Sequence, residues 1–210
     1  MTGDSRFVLF DVDGTLVDTL GNLRRVWSQW ATHFGLDPQR VFDVAFHNWP
    51  LHVFAALVPD EDPVACLALL NDLEDDDVTV GDYSAFDGAA QLLGAMPTAS
   101  WGLVTSNYLH RVHLRFARLG LPVPTVIVDA PSVTVGKPSP DPYLLAAELL
   151  QVSPAACLAV EDSPAGVASA SGAGMTVWSV NRPDTVDGSH RHFTTLGQAA
   201  PDILAWVNDR

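Results

Sequence analysis

Lysine is nearly missing from this 210-residue chain: Lys137 is the only one, and the ten other basic residues are all arginine. Cations in general are scarce, 11 against 25 acids, for a formal net charge of −14. A surplus of that size repels nucleic acid and anionic bilayers, so neither is expected as a partner. Cysteine is limited to Cys66 and Cys157, both in apolar surroundings and neither at metal-ligand spacing. A disulfide framework and a thiolate metal site are thereby excluded, and two reduced core thiols are expected. No apolar run is long enough to span a bilayer. The opening residues Met1 to Arg6 lack a basic leader region, so a cytoplasmic location is expected. Hydrophobic residues make up 48% of the chain and mean hydropathy is +0.16, which is enough apolar material for a substantial core.

Chemistry concentrates in Phe7-Val8-Leu9-Phe10-Asp11-Val12-Asp13-Gly14-Thr15-Leu16-Val17-Asp18. An unbroken apolar run reads as a buried strand, and it ends in two carboxylates one residue apart. Gly14 then lets the backbone turn sharply. In open α/β sheets, that end of a strand is where ligands bind. Two crowded acids repel, so a proton or a cation must sit between them, and charge alone points to an oxygen-ligated Mg²⁺ with a phosphate nearby.

Three more segments follow in order along the chain, two of them apolar runs that end in polar groups. Trp101 to Val104 leads into Thr105-Ser106-Asn107, where hydroxyl groups and backbone amides suit an anion, although Ser106 and Asn107 equally suit the cap of a following helix. Gly136-Lys137-Pro138 holds the single lysine, a compact charge suited to bridging a phosphate and a carboxylate. Cys157 to Val160 ends in Glu161-Asp162, followed by Ser163-Pro164, a helix N-cap and first-turn pair.

These four segments resemble the motifs of the haloacid dehalogenase superfamily, whose phosphatases and phosphomutases carry a DxDGT/V signature. The stretch from Trp101 onward is similar to its sugar-phosphatase branch, through Val104-Thr105-Ser106, Arg111-Val112, Leu119-Gly120-Leu121-Pro122 and Val160 to Val167. The resemblance implies that Asp11 attacks phosphorus to form an aspartyl-phosphate. Asp13 would protonate the leaving oxygen and then activate water, with Thr105 and Lys137 completing the catalytic set. Mg²⁺ would be held by Asp11, the backbone carbonyl of Asp13, Asp162 and Glu161, the last directly or through water. Phosphate binding would fall to Val12, Thr105, Ser106, Asn107 and Lys137.

Between the first and second motifs, helical patterning dominates. Leu23, Val26, Trp27, Trp30 and Phe34 share one helix face, ending at Gly35 with Pro38 beyond. Val53, Phe54, Leu57 and Val58 mark a second helix, and Asp62-Pro63 starts a third with Val64, Leu67, Leu70 and Leu73 inward. The acidic run Glu74 to Asp77 reads as a solvated surface. An insertion here is similar to the superfamily's C1-type cap, which implies closure over the site and reading of the leaving group. His47, Asn48 and Trp49 stand where related sugar and polyol phosphatases often have His-Gly-Arg. An amide and an indole suit a sugar, while packing within the cap explains Trp49 equally well.

The expected architecture is α/β: a doubly wound, mostly parallel sheet over residues 1–17 and 85–210, with a helical cap over 18–84. Core strands are expected near 7–11, 101–105, 124–128, 157–161 and 175–180, with a helix after Asp141-Pro142 burying Leu145, Leu149 and Val152. Histidines are scattered, and His110 with His113 reads as a solvated helix face. The implied activity is Mg²⁺-dependent hydrolysis of a small sugar or polyol phosphate by a monomer or small homo-oligomer. A phosphomutase of the β-phosphoglucomutase type is the alternative; it needs a cap arginine for a second phosphate, and Arg24, Arg25 and Arg40 lie outside the expected stretch. Dehalogenation leaves Asp13 without a task, and a receiver-type regulatory domain lacks both the Asp13 position and the insertion.

Overall fold

The computed structural model describes residues 6–46 and 48–209. In chain order the strands are β1 (Phe7–Phe10), β2 (Val17–Asp18), β3 (Ser84–Ala85), β4 (Trp101–Val104), β5 (Val126–Val128), β6 (Cys157–Glu161), β7 (Thr176–Ser179) and β8 (Arg191–His192). The α-helices are α1 (Leu20–His33), α2 (Pro38–Ala45), α3 (Pro50–Leu57), α4 (Pro63–Val80), α5 (Ala89–Ala95), α6 (Leu109–Leu119), α7 (Asp141–Leu150), α8 (Pro164–Gly172) and α9 (Leu196–Asn208). The chain divides into two compact units, one of Met1–Asp18 with Ser84–Arg210 and one of Thr19–Tyr83.

The larger unit is α/β. Six strands run parallel in the order β5-β4-β1-β6-β7-β8, so β1 lies centrally with β4 on one side and β6 on the other. Parallel neighbours need crossover helices, and both sheet faces are consequently buried. Leu9 on one face joins Val104, Val128, Tyr143, Ala146, Ala147 and Ala159 in a cluster under α7 and α8. Val8 and Phe10 point to the opposite face, as the two-residue period of a strand requires, and Phe10 meets Trp101 edge-on at 6.1 Å. A separate antiparallel ribbon joins β2 to β3, pairing Val17 with Ala85 and Asp18 with Ser84.

The strand order reverses at β1, which makes the carboxyl ends of β1, β4 and β6 a topological switch point. Asp11 follows β1, Thr105 follows β4, and Glu161 ends β6. The sheet thus presents three of the four motif segments at one edge. Four of the five expected strands are tighter than expected: β1 and β4 stop one residue earlier, β5 starts at Val126 and β7 spans Thr176–Ser179; the short strands β2, β3 and β8 had no readable pattern. On α7 the buried set is Pro142, Tyr143, Ala146 and Ala147, whereas Leu149 is 53% exposed. Small side chains let this helix sit close to the sheet; Leu145 and, past its end, Val152 pack against the cluster as expected, and Leu149 alone of the expected three turns outward.

The smaller unit is four helices around an aromatic centre. Trp30 stacks on Phe54 at 5.3 Å and meets Trp27 edge-on at 5.4 Å, enclosed by Val26, Val41, Val53, Cys66 and Leu70. Helix α2 runs where Pro38 had suggested only a stop. Asp37 accepts from the Arg40 N–H at 2.8 Å and Pro38 occupies the first turn, where its missing N–H is harmless. On α4 the inward stripe is Cys66, Leu69, Leu70 and Leu73, while Val64 is 74% exposed and Leu67 is also exposed. A strict three-residue spacing drifts round a helix of 3.6 residues per turn, so Val64 and Leu67 leave the buried face.

The acidic run is not uniformly solvated. Asp77 is buried and takes hydrogen bonds from Asn22 (2.6 Å), Arg25 (2.7 and 3.0 Å) and Tyr83 (2.8 Å). Burial alone would raise this carboxyl, but those donors outweigh it and hold Asp77 below the ordinary aspartate value. It ties α1 to the end of α4.

Candidate active site

The turn after β1 is built to present side chains. The Val12 carbonyl accepts from the N–H groups of Thr15, Leu16 and Val17 at 3.3, 2.9 and 2.9 Å, and Gly14 adopts φ +94°. A Cβ on Gly14 would lie 2.4 Å from the Asp162 Oδ2, so the glycine also makes room for that carboxylate. Asn181 clamps the turn from beyond β7. Its Nδ2 donates to the Gly14 and Thr15 carbonyls, both at 2.9 Å, and its Oδ1 accepts from the Leu196 N–H at 2.7 Å. Nothing in the sequence pattern singled out Asn181.

Lys137 is the hub of the buried charges. Its ammonium donates to Asp11 Oδ1 at 2.7 Å, Glu161 Oε1 at 2.6 Å and the Val104 carbonyl at 2.9 Å, which engages all three N–H groups. Burial pulls an ammonium down, but the Asp11 and Glu161 charges beside Lys137 outweigh that and hold it above the ordinary lysine value. Glu161 is fully buried. Its Oε1 also accepts from the Tyr143 hydroxyl at 2.8 Å, and its Oε2 accepts from the Asp162 N–H (3.2 Å), the Ser163 N–H (3.5 Å) and Ser163 Oγ (3.2 Å). Both oxygens of Glu161 are therefore engaged by protein donors. Tyr143 was not foreseen; the clue was a hydroxyl-bearing aromatic in the first turn after the lysine loop.

Carboxyl groups of Asp11, Glu161 and Asp162 converge, with one oxygen from each within 4.8 Å of the others. Burial, then the neighbouring Glu161 and Asp162 charges, push the Asp11 carboxyl well above its ordinary value despite Lys137. Asp162 is pushed up to about 7, by burial first and then by Glu161, with Arg182 and Lys137 opposing. Three carboxylates against the one ammonium leave a local surplus of negative charge, and hard oxygen donors are what Mg²⁺ takes. The residues present fit a divalent cation held by Asp11 and Asp162.

Thr105 is buried at the end of β4, its N–H bonded to the Val128 carbonyl at 2.9 Å and its Oγ1 accepting from the Asn107 N–H at 3.1 Å. Ser106 is exposed. Asn107 turns inward: its Nδ2 donates to Asp13 Oδ2 at 3.1 Å. Arg115, also unforeseen, donates from Nη1 to Asp13 Oδ1 at 2.5 Å. Asp11, Asp13, Thr105, Asn107, Lys137, Glu161 and Asp162 are thus all in the larger unit and linked by contacts around its switch point. In the smaller unit Asn48 Nδ2 donates to the Val44 carbonyl at 2.8 Å, and Trp49 is 52% exposed at the start of α3, so core packing does not account for it. His47 lies outside the described residues.

Gly166 marks the tightest approach. Opening α8 under the Ser163 cap (Gly166 N–H to Ser163 Oγ, 3.0 Å), it sits where a Cβ would meet Glu161 Cδ at 1.9 Å. Gly166→Ala is expected to displace Glu161 and so loosen Lys137, destabilising the protein by roughly 2–4 kcal/mol. A thermal melt checks this; an unshifted midpoint would mean that Glu161 is less firmly held than its contacts indicate.

Comparison with known proteins places the chain in a family. The family pattern described as haloacid dehalogenase-like hydrolase matches residues 6–174. Hexitol phosphatase A of Escherichia coli is 39% identical over 178 residues, covering 83% of this chain and 82% of that protein. Glycerol-1-phosphate phosphohydrolase 2 of Saccharomyces cerevisiae is 30% identical over 182 residues, covering 80% and 72%. A crystal structure of a HAD family hydrolase from Deinococcus radiodurans, with bound phosphate and sodium, superposes with TM-score 0.72 at 27% identity over 99% of this chain and 98% of that one. The chain belongs to the haloacid dehalogenase-like hydrolases and is an enzyme of that family.

Proposed function

We propose that this enzyme is a Mg²⁺-dependent phosphatase that hydrolyses a sugar or polyol phosphate through an aspartyl-phosphate on Asp11. The observation that carries the reading is the triple contact of Lys137, which joins Asp11 to Glu161 and the end of β4 in a buried, anion-rich cluster. With one Asp11 oxygen held by the ammonium, the other is the attacking atom. Bound Mg²⁺ supplies neutralisation of charge on the transferring group, held by Asp11, Asp162 and the Asp13 carbonyl. Lys137 adds a fixed positive charge on the same group, and Glu161 with Tyr143 keeps that lysine in register. Val12 and Thr105, with Ser106 and Asn107 beside them, are assigned to the phosphoryl oxygens.

Asp13 gives a proton to the leaving oxygen and then takes one from the attacking water. Substrate choice is assigned to His47, Asn48 and Trp49. The sugar and polyol preference is supported by the relatives, named as phosphatases of a hexitol phosphate and of glycerol 1-phosphate. The test is inorganic phosphate release from a panel of hexose, hexitol, glycerol and nucleoside monophosphates and phosphoglycolate, with and without Mg²⁺. Mg²⁺-dependent release concentrated on the sugar and polyol esters is the expected result. No release, with β-glucose 1-phosphate converted to glucose 6-phosphate instead, would overturn hydrolysis in favour of a mutase.

A further inference from the structure

Arg115 is an oddity in its own helix. It is 1% exposed at the middle of α6, among Val112 and Phe116, yet carries a permanent cation. Burying a guanidinium is unfavourable unless it meets a well-aligned acceptor. Arg115 meets Asp13 Oδ1 through Nη1 at 2.5 Å, with the Asp13 side chain 27% exposed. The second Asp13 oxygen is held from the same stripe. Asn107, Arg111 and Arg115 recur at four-residue intervals, which sets them along one side of the helix and its lead-in. Asn107 Nδ2 donates to Asp13 Oδ2 at 3.1 Å, and the amide is itself oriented because its Oδ1 accepts from the Tyr108 N–H (2.9 Å) and Arg111 Nη1 (3.4 Å).

We propose that Arg115 is a positioning residue for the acid–base carboxylate Asp13, fixing its rotamer from one oxygen while Asn107 holds the other. The inference rests on the acid–base reading of Asp13 given above. Lys137 does not fill this role, since its three N–H groups are engaged by Asp11, Glu161 and Val104. In the first half-reaction the Asp11 oxygen bonds to phosphorus as the ester P–O bond breaks. The leaving oxygen takes that electron pair together with the Asp13 proton. In the second, water oxygen bonds to phosphorus, its proton passes to Asp13, and the Asp11 oxygen–phosphorus bond breaks. Arg115 takes no proton in either step. A carboxylate on a glycine turn is otherwise free to rotate, and proton transfer needs it within hydrogen-bond reach of the leaving oxygen.

The bland reading, that Arg115 merely ties α6 to the β1 turn, makes a different prediction. An alkyl phosphate such as glycerol 1-phosphate needs its leaving oxygen protonated, whereas p-nitrophenolate leaves without help. A loss of fold slows leaving-group release from both substrates alike; a mispositioned acid slows that first step selectively on the alkyl ester, the water step being common to both. Expected for Arg115→Met, in single-turnover reactions that read leaving-group release before the shared water step, is a fall of about 10²-fold on the alkyl ester and less than about tenfold in the nitrophenolate burst rate on the aryl ester. Arg115→Lys, which keeps the charge but not the planar fork, should fall between wild type and Arg115→Met, and it carries the test should Arg115→Met not fold. Equal losses on both substrates in these variants would overturn the proposal. Asp13→Asn separates the two layers. Its own alkyl-selective loss in the first-turnover release supports the acid role, whereas leaving-group indifference in that step would remove that role and this inference with it.

Discussion

Asp11→Asn is expected to abolish phosphate release, by at least about 10⁴-fold, while leaving the protein folded. The amide keeps the size of the side chain and a carbonyl oxygen, so packing at the end of β1 and the Lys137 contact have a replacement acceptor. What disappears is the anionic oxygen that must bond to phosphorus, and an amide is a very poor substitute nucleophile. Stability should scarcely fall. Asp11 lies in a cluster where burial and the Glu161 and Asp162 charges already push its carboxyl upward, so removing one negative charge relieves repulsion as it weakens the lysine contact. Unfolding curves with normal cooperativity, beside a flat phosphate assay, are the expected pair of results. Turnover within tenfold of wild type would contradict the nucleophile assignment.

Lys137→Met is expected to damage both function and fold. Methionine fills the channel to β4 but leaves Glu161 fully buried beside Asp11 with no cation between them. Removing one partner of a buried charge pair typically costs about 3–5 kcal/mol, because the other charge stays behind without compensation. For a chain of this length that corresponds to a lowering of the melting midpoint by roughly 10 °C. Catalysis should fall by about 10³-fold or more through the lost charge on the transferring group. Mg²⁺ should recover part of the stability, since a dication offsets the same surplus, but little of the rate. A melting midpoint unchanged by Lys137→Met would mean that the buried triad is not ionised as drawn.

Much of the larger unit was legible because its physics is local. Three apolar runs bounded by polar turns marked β1, β4 and β6, and a parallel sheet then brings strand ends to one edge whatever their sequence separation. The solitary lysine stood out by composition and is the buried hub. Less legible were contacts made across the sheet by residues whose neighbours look ordinary. Tyr143 sits in a helix that also carries four leucines, and only the fold brings its hydroxyl to Glu161. Arg115 reads as one more arginine in an amphipathic helix until the β1 turn is set beside it. Asn181 needs the whole sheet to reach Gly14. In the smaller unit, periodicity found Trp27, Trp30 and Phe54 but misjudged α4, where drift rotated Val64 and Leu67 out and Asp77 in. A buried acid answered by Asn22, Arg25 and Tyr83 has no signature in a run of four acids.

The most direct test is a rapid-quench reaction of Asp13→Asn with Mg²⁺ and a p-nitrophenyl phosphate pulse, followed by mass spectrometry of the acid-stabilised peptides. With the base for the water step removed, the phosphoryl adduct is predicted to accumulate on the peptide that contains Asp11, in step with a burst of nitrophenolate. It should be absent from Asp11→Asn treated in the same way. Turnover of the substrate with no adduct on that peptide at any quench time, in either wild type or Asp13→Asn, would contradict covalent catalysis by Asp11.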